Sequence, residues 1–157
     1  MTRCRRIERG GFSLLEVVIV VAIIAILAAI GVPRMSRGAR GATDSALSGD
    51  LAVLRNAVDL YSTEHTGTFP TAAAINTQLI QYTDSTGGTS ATKDTTHIYG
   101  PYLRSVPPLP VGARKGQKRI AAADANDVGW VYTEASGDLK ANTTTEKDEA
   151  GKAYNLY

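Results

Sequence analysis

A carboxylate lies inside an apolar run near the start of the chain. Glu16 is the fifth residue of the segment 12–32, in which Ser13 is the only other clearly polar residue. A charged side chain at the centre of a bilayer costs about 2.5–3.5 kcal/mol by insertion scales. Glu16 lies one turn beyond Phe12, so in a membrane it can extend toward the interface and lower that cost. No Lys or Arg within the run can neutralise it.

A cut after Gly11 would create a cation close to this carboxylate. Phe12 would then carry a free α-amino group, which could pair with Glu16 of a neighbouring subunit inside an apolar assembly. The two buried charges would neutralise each other. This interpretation predicts an assembly role for Glu16. The alternative is that Glu16 is merely tolerated at this position.

The apolar run has the dimensions of a membrane span. As a helix rising about 1.5 Å per residue, residues 12–32 extend about 31 Å, close to the hydrocarbon thickness of a bilayer. Four arginines precede the run and predict, by the positive-inside rule, that residues 1–11 are cytoplasmic and the rest lies outside: Arg3, Arg5, Arg6 and Arg9. The formal charge of +2 belongs to this leader, so no nucleic-acid surface is expected over the chain.

A second helical pattern follows the apolar run. Gly31 and Pro33 come first and predict a kink or local melting. Helical periodicity then resumes and predicts that residues 33–66 continue the helix as an amphipathic segment, ended by Gly67 and Pro70. The apolar stripe of this segment, which we expect to pack against the chain's own domain, is formed by Leu47, Leu51, Leu54, Val58 and Tyr61.

Residues 67–157 predict a small globular domain, and the fold class is α+β. A short helix from Pro70 to Tyr82 is expected to bury three residues: Ile75, Leu79 and Ile80. Residues 98–112 contain four prolines and predict an extended strap with Tyr99 and Tyr102 facing inward.

Strands are predicted near the end of this domain. Residues 128–132 and 139–142 flank a turn at Ser136-Gly137 and predict an antiparallel hairpin. Residues 154–157 are expected to add an edge strand. The predicted domain is therefore a small antiparallel sheet, with the proline-rich strap, packed against the long helix.

Patterns typical of enzymes are lacking in the sequence. His65 and His97 have no spacing that suggests a shared metal, and the only cysteine, Cys4, lies in the leader. Three oxygen-bearing residues, Asp124, Asn126 and Asp127, lie close enough along the chain to be weak candidates for a calcium loop. The same composition is ordinary for a turn, so no cofactor is expected apart from this possible calcium ion.

The start of the chain resembles the N-terminus of the type IV prepilin and pseudopilin family. The resemblance covers residues 1–35 and consists of a short basic leader, Gly11 before Phe12, Glu16 at the fifth position after the junction, and Pro33 about one membrane span later. It implies that a prepilin peptidase cleaves between Gly11 and Phe12 and methylates the new amine.

The family resemblance also implies partners and a location. Subunits would leave the bacterial inner membrane at an assembly platform and build a periplasmic filament with identical and related pilin-like subunits. Their apolar helices would pack at its centre, and Glu16 would guide register.

Two later segments are similar to the major pseudopilins of type II secretion. They are the helix end from Leu60 to Thr71, with its Gly-x-aromatic-Pro-Thr corner, and Gly100-Pro101-Tyr102-Leu103 before the strap. The resemblance therefore implies a structural subunit of a piston-like secretion fibre. A type IV pilus subunit for adhesion, motility or DNA uptake is the nearest alternative. A remoter one is an exported binding protein whose signal peptide is cut after Ala29-Ile30-Gly31.

Overall fold

The computed structural model describes residues 12–157, and for residues 31–37 it describes the backbone alone. The chain divides into one unit that ends at Ala39 and a second from Arg40 to Tyr157. The longest element, α1, is Leu14–Glu64. It stays helical through Gly31 and Pro33, so the predicted local melting is wrong. Proline removes one backbone donor, and the remaining helical hydrogen bonds suffice to continue the helix.

The amphipathic part of α1 forms one side of the core of the Arg40–Tyr157 unit. All five residues of the predicted apolar stripe are at most 2% exposed, which confirms the stripe and its packing against the chain's own domain. After Glu64 the chain turns through Thr66 and Gly67, both in the left-handed region, at φ 56° and 86°. The Gly67 N–H donates to the Ser62 carbonyl at 2.8 Å and closes the last turn.

Two small sheets pack within this unit. Strands β1 (Tyr82–Thr83) and β2 (Thr89–Ser90) form an antiparallel pair. Strands β3 (Arg119–Ala121), β4 (Val128–Thr133) and β5 (Asp138–Ala141) form a three-stranded sheet in that order.

The predicted hairpin is confirmed, with Trp130 opposite Ala141 and Thr133 opposite Asp138. Strand β3 was not predicted, and it pairs parallel to β4, so this sheet is mixed rather than antiparallel. The sheet and α1 together bear out the α+β class.

Side chains meet both outer edges of the three-stranded sheet. At β3, the Asn76 amide donates from Nδ2 to the Ile120 carbonyl at 2.7 Å and accepts from the Ile120 N–H at 2.9 Å. At β5, the Arg55 guanidinium donates to the Leu139 carbonyl at 3.0 Å. These bonds satisfy backbone groups that face away from β4.

The proline-rich strap lies across the core as predicted. Residues 100–112 contain no helix or strand, and Val106, Leu109 and Val111 are at most 8% exposed. The Trp130 indole N–H donates to the Pro107 carbonyl at 2.9 Å, which fixes the strap to β4. Tyr102 is partly buried against the Tyr61 ring of α1, and Tyr99 against the ring of His65, which directly follows α1.

Two predictions on short elements are wrong. The second helix, α2, is only Ile75–Gln78; Ile75 and Leu79 are buried as predicted, but Ile80 is 37% exposed. The predicted edge strand at 154–157 is instead a 3₁₀ helix, Tyr154–Leu156. Side chains hold this segment in place of strand pairing, because Tyr154 Oη donates to the Asp44 carboxylate at 2.8 Å and Arg55 donates to the Tyr157 carbonyl at 2.5 Å.

Candidate processing and assembly site

The predicted site residues fall at the beginning of the described chain. Gly11 lies outside the described residues, and Phe12, the first of them, is 84% exposed. Glu16 lies in the first turn of α1 and is exposed. Pro33 lies within α1. Cleavage between Gly11 and Phe12, and the assembly roles of Glu16 and Pro33, stay predictions.

The position of Glu16 at the helix start suits helix capping as well as assembly. Ser13 directly precedes α1, and its carbonyl accepts the Val17 N–H at 3.2 Å, the first helical hydrogen bond. Ser13 and Glu16 have the Ser-x-x-Glu spacing of a capping box. A carboxylate in the first turn also interacts favourably with the positive end of the helix dipole. A test of Glu16 must therefore separate helix capping from assembly.

The apolar side chains from Leu14 to Ile30 have no cover from the residues that the structure describes. Each large one is between 49% and 83% exposed. An exposed apolar surface that continues over several helical turns is characteristic of an interaction surface. The exposed large side chains are Leu14, Leu15, Val17, Val18, Ile19, Val20, Val21, Ile23, Ile24, Ile26, Leu27 and Ile30.

Among the residues that the structure describes, no helix has the length and apolar character needed to cross a membrane.

The candidate calcium loop is held by two arginines. The Arg114 guanidinium donates to Asn126 Oδ1 at 2.7 Å and to Asp124 Oδ1 at 3.3 Å. Arg119 pairs with Asp127 at 2.6 Å. Arg114 thus joins Asp124 and Asn126, whereas Asp127 has a different partner. Within residues 12–157, no group of three or more His, Cys, Asp or Glu side chains is arranged to hold a metal. Calcium binding here stays a prediction.

A cavity of about 110 Å³ lies beside this loop and is lined in part by Glu146. Glu146 accepts hydrogen bonds from the backbone N–H groups of Ala113, Thr144 and Thr145 at 2.8–3.0 Å. These bonds, that from Ala113 first, lower the pKa of Glu146 to about 2. The contact between residues 113 and 146 joins distant parts of the chain, so no local pattern could predict it.

The two histidines occupy separate environments. His65 is 4% exposed, its ring stacks on Tyr61 at 3.8 Å, and its two nitrogens each lie 2.9 Å from a backbone carbonyl oxygen, one of Tyr61 and one of Asp84. His97 Nδ1 lies 2.8 Å from Asp94. His65 thus belongs to the buried structure at the end of α1 and His97 to a surface loop.

Comparison with protein families identifies a known motif at the start of the chain. Residues 8–32 match the prokaryotic N-terminal methylation motif. The matched range includes Gly11, Phe12, Glu16 and the apolar run up to Val32. This match supports the resemblance of the start of this chain to type IV prepilins. Comparisons with curated proteins and with solved structures give no match.

Proposed function

We propose that this chain is a pseudopilin, a non-enzymatic structural subunit of a type II secretion filament. In this proposal the prepilin peptidase cuts between Gly11 and Phe12 and methylates the Phe12 amine. The subunit waits as a single-pass protein of the bacterial inner membrane, with its Arg40–Tyr157 unit in the periplasm. The subunits then assemble into a filament, and their apolar helices pack together at its core.

The observation that carries the proposal is the match to the methylation motif over residues 8–32. The exposure of every large apolar side chain from Leu14 to Ile30 supports it, because a polymer core would cover this surface. The Phe12 amine created by the cut would supply the positive partner that Glu16 lacks within the run.

The choice of a secretion filament over a type IV pilus has less support than the pilin-like character of the chain. It comes from the similarity of residues 60–71 and 100–103 to the major pseudopilins. The left-handed corner at Thr66 and Gly67, which ends the helical region before Phe69 and Pro70, is compatible with that similarity.

The processing step is tested by the mass and N-terminal sequence of the mature protein. We expect a chain that begins at N-methylated Phe12. Replacement Gly11→Leu is expected to leave the full-length chain uncut, whereas the matched control Gly10→Leu is still cut. A mature chain that begins at Val32 would point to an ordinary signal peptide and overturn the proposal.

The type of filament is tested by deleting the gene in its host. We expect loss of extracellular enzymes, which accumulate in the periplasm, with surface pili and twitching motility unchanged. Normal secretion together with loss of pili would instead identify a pilus subunit.

A further inference from the structure

An open groove on the Arg40–Tyr157 unit has an apolar floor and a basic rim. Its volume is about 260 Å³, enough for one branched aliphatic side chain. Ile80 and Val106 form the floor, and Ile80 is the more exposed of the two at 37%. None of the lining side chains is acidic: Asn76, Ile80, Ser105, Val106, Lys118 and Arg119.

The rim of the groove is positively charged. Lys118 is exposed and forms no ion pair with any residue between 12 and 157. Arg119 pairs with Asp127, but both side chains are more than half exposed, so water screens this pair strongly. Arg104, also exposed, directly precedes Ser105. The chemistry of the groove therefore fits an aliphatic side chain next to a carboxylate.

The α1 helix presents a surface of that composition. We call it the acidic stripe and define it by Ala46, Asp50, Val53, Leu60 and Glu64. The spacings of three, four and seven residues place these positions on one side of a helix. On that side the intervening Ala57 is buried at 4% exposure, and it separates Asp50 and Val53 from Leu60 and Glu64. Val53 is 51% and Leu60 50% exposed, although both lie in the part of α1 that packs on the domain.

Asp50 lacks a positive partner. It is partly buried, and within the described chain it forms no ion pair. Burial raises the pKa of the Asp50 carboxyl, so an approaching cation would be favourable. Glu64, at the other end of the stripe, already accepts a hydrogen bond from Tyr102 Oη at 2.6 Å.

We infer that Val53 of one copy of this chain inserts into the groove of a second copy, which places Asp50 next to the second copy's Lys118. The inference rests on the proposed filament function. A contact of this size is weak alone, and apolar helices that already hold two copies together raise its effective concentration. The stripe and the groove are different surfaces, so the contact is head-to-tail and continues from copy to copy.

Cysteine crosslinking of the full chain in its host tests this contact. The background is Cys4→Ser, and the probe is oxidative disulfide formation between Val53→Cys and Ile80→Cys. A chain with both substitutions is expected to give a ladder of dimers, trimers and longer products. Chains with one substitution each, expressed together, are expected to give dimers only.

The controls define the outcomes that overturn the contact. Dimers from Val53→Cys alone would show that the stripe pairs with itself. Dimers without longer products from the double variant would show a closed pair instead of a continuing contact. The control pair Thr63→Cys with Ile80→Cys uses an exposed residue of α1 outside the stripe and should give no ladder. If that pair gives as much ladder as Val53→Cys with Ile80→Cys, the crosslinks arise from random collisions between chains.

Charge exchange tests the predicted neighbours directly. Lys118→Glu is expected to lower the yield of crosslinked ladder by about tenfold or more, because it places two carboxylates together. Adding Asp50→Lys to that variant is expected to restore the yield. A ladder that is insensitive to Lys118→Glu would overturn the pairing with Asp50.

The mature N-terminus is measured on the same cells to separate this inference from the proposed function. A chain that begins at N-methylated Phe12 but gives no ladder overturns the contact and leaves the proposed function standing. An uncut chain that gives the ladder supports the contact and overturns the proposed processing.

Discussion

Two stretches of α1 are both rich in apolar side chains and differ in what covers them. From Leu14 to Ile30, every large apolar side chain is about half exposed or more. From Leu47 to Tyr61, the five residues of the apolar stripe are at most 2% exposed. Apolar side chains lie on all sides of the first stretch, whereas the second is amphipathic. One small domain can therefore bury the apolar side chains of the second stretch but not those of the first. The first needs neighbours outside this chain.

Among the substitutions that test this comparison, the largest effect is expected from replacing Glu16, which lies in the first stretch. Glu16→Ala is expected to lower the yield of sheared fibres by more than about tenfold, because the Phe12 amine of a neighbour would be buried unpaired at a cost of about 3–5 kcal/mol. Cleavage and methylation, measured by mass, should be unchanged. Glu16→Gln keeps the size of the side chain but removes its charge. It is therefore expected to lower the yield of sheared fibres as much as Glu16→Ala does. Normal fibre formation by either variant would contradict the ion pair.

The next largest effect is expected when the same substitution, Leu→Ala, is made in each stretch and the losses in the free energy of unfolding are compared. Leu54→Ala is expected to lower the free energy of unfolding by about 2–5 kcal/mol, since Leu54 is fully buried. Leu27→Ala, at 64% exposure, should change it by less than about 0.5 kcal/mol. Urea unfolding of the purified chain in detergent, followed by fluorescence of the buried Trp130, measures both. Equal losses would show that Leu27 is covered in the folded protein as well as Leu54 is, and would contradict the difference between the two stretches.

A smaller effect is expected where the sheet meets α2. Asn76→Ala removes two hydrogen bonds to Ile120 and should cost about 1–3 kcal/mol in the same unfolding assay. Thr77→Ala is the matched control, because the Thr77 hydroxyl donates only to the nearby Ala74 carbonyl. A loss no larger than that of the control would show that water replaces the Asn76 amide at no cost.

The smallest effect depends on pH and concerns Glu146. Its pKa is lowered from 4.5 to about 2, so its contribution to stability is present above about pH 4.5 and is lost as the pH falls toward 2. Glu146→Gln should therefore lower the free energy of unfolding by about 1 kcal/mol at pH 7, after allowance for solvent screening, and by little near pH 2. Glu149→Gln, at an exposed neighbouring position, is the matched control for the loss at pH 7. An equal loss at both pH values would contradict the role of the charge.

Periodicity and turn chemistry predicted the elements that local pattern determines. The buried stripe of α1, the β4–β5 hairpin and the extended strap all follow from spacing, from a Gly in a turn, or from proline content. Glu16 and Phe12 were recognised because an acid in an apolar run is costly and therefore informative. The glycine before the junction, which is Gly11, completed the motif.

The elements that sequence could not predict depend on contacts between distant residues. Strand β3 pairs in parallel with β4, and nothing local to Arg119–Ala121 indicates this partner. The end of the chain forms a 3₁₀ helix because Asp44 and Arg55 of α1 bind it. Ile80 was expected on the buried face with Ile75 and Leu79, but α2 ends at Gln78 and Ile80 is exposed.

The side chains at the edges of the three-stranded sheet have a consequence for how this protein can grow. An open strand edge is a template on which another chain can add, and repeated addition leads to amyloid-like stacks. Asn76 occupies the hydrogen-bonding groups of Ile120, and Arg55 occupies the carbonyl of Leu139. If the proposed function is right, these two contacts disfavour strand addition at the edges of the three-stranded sheet, so polymers would grow by helix contacts instead.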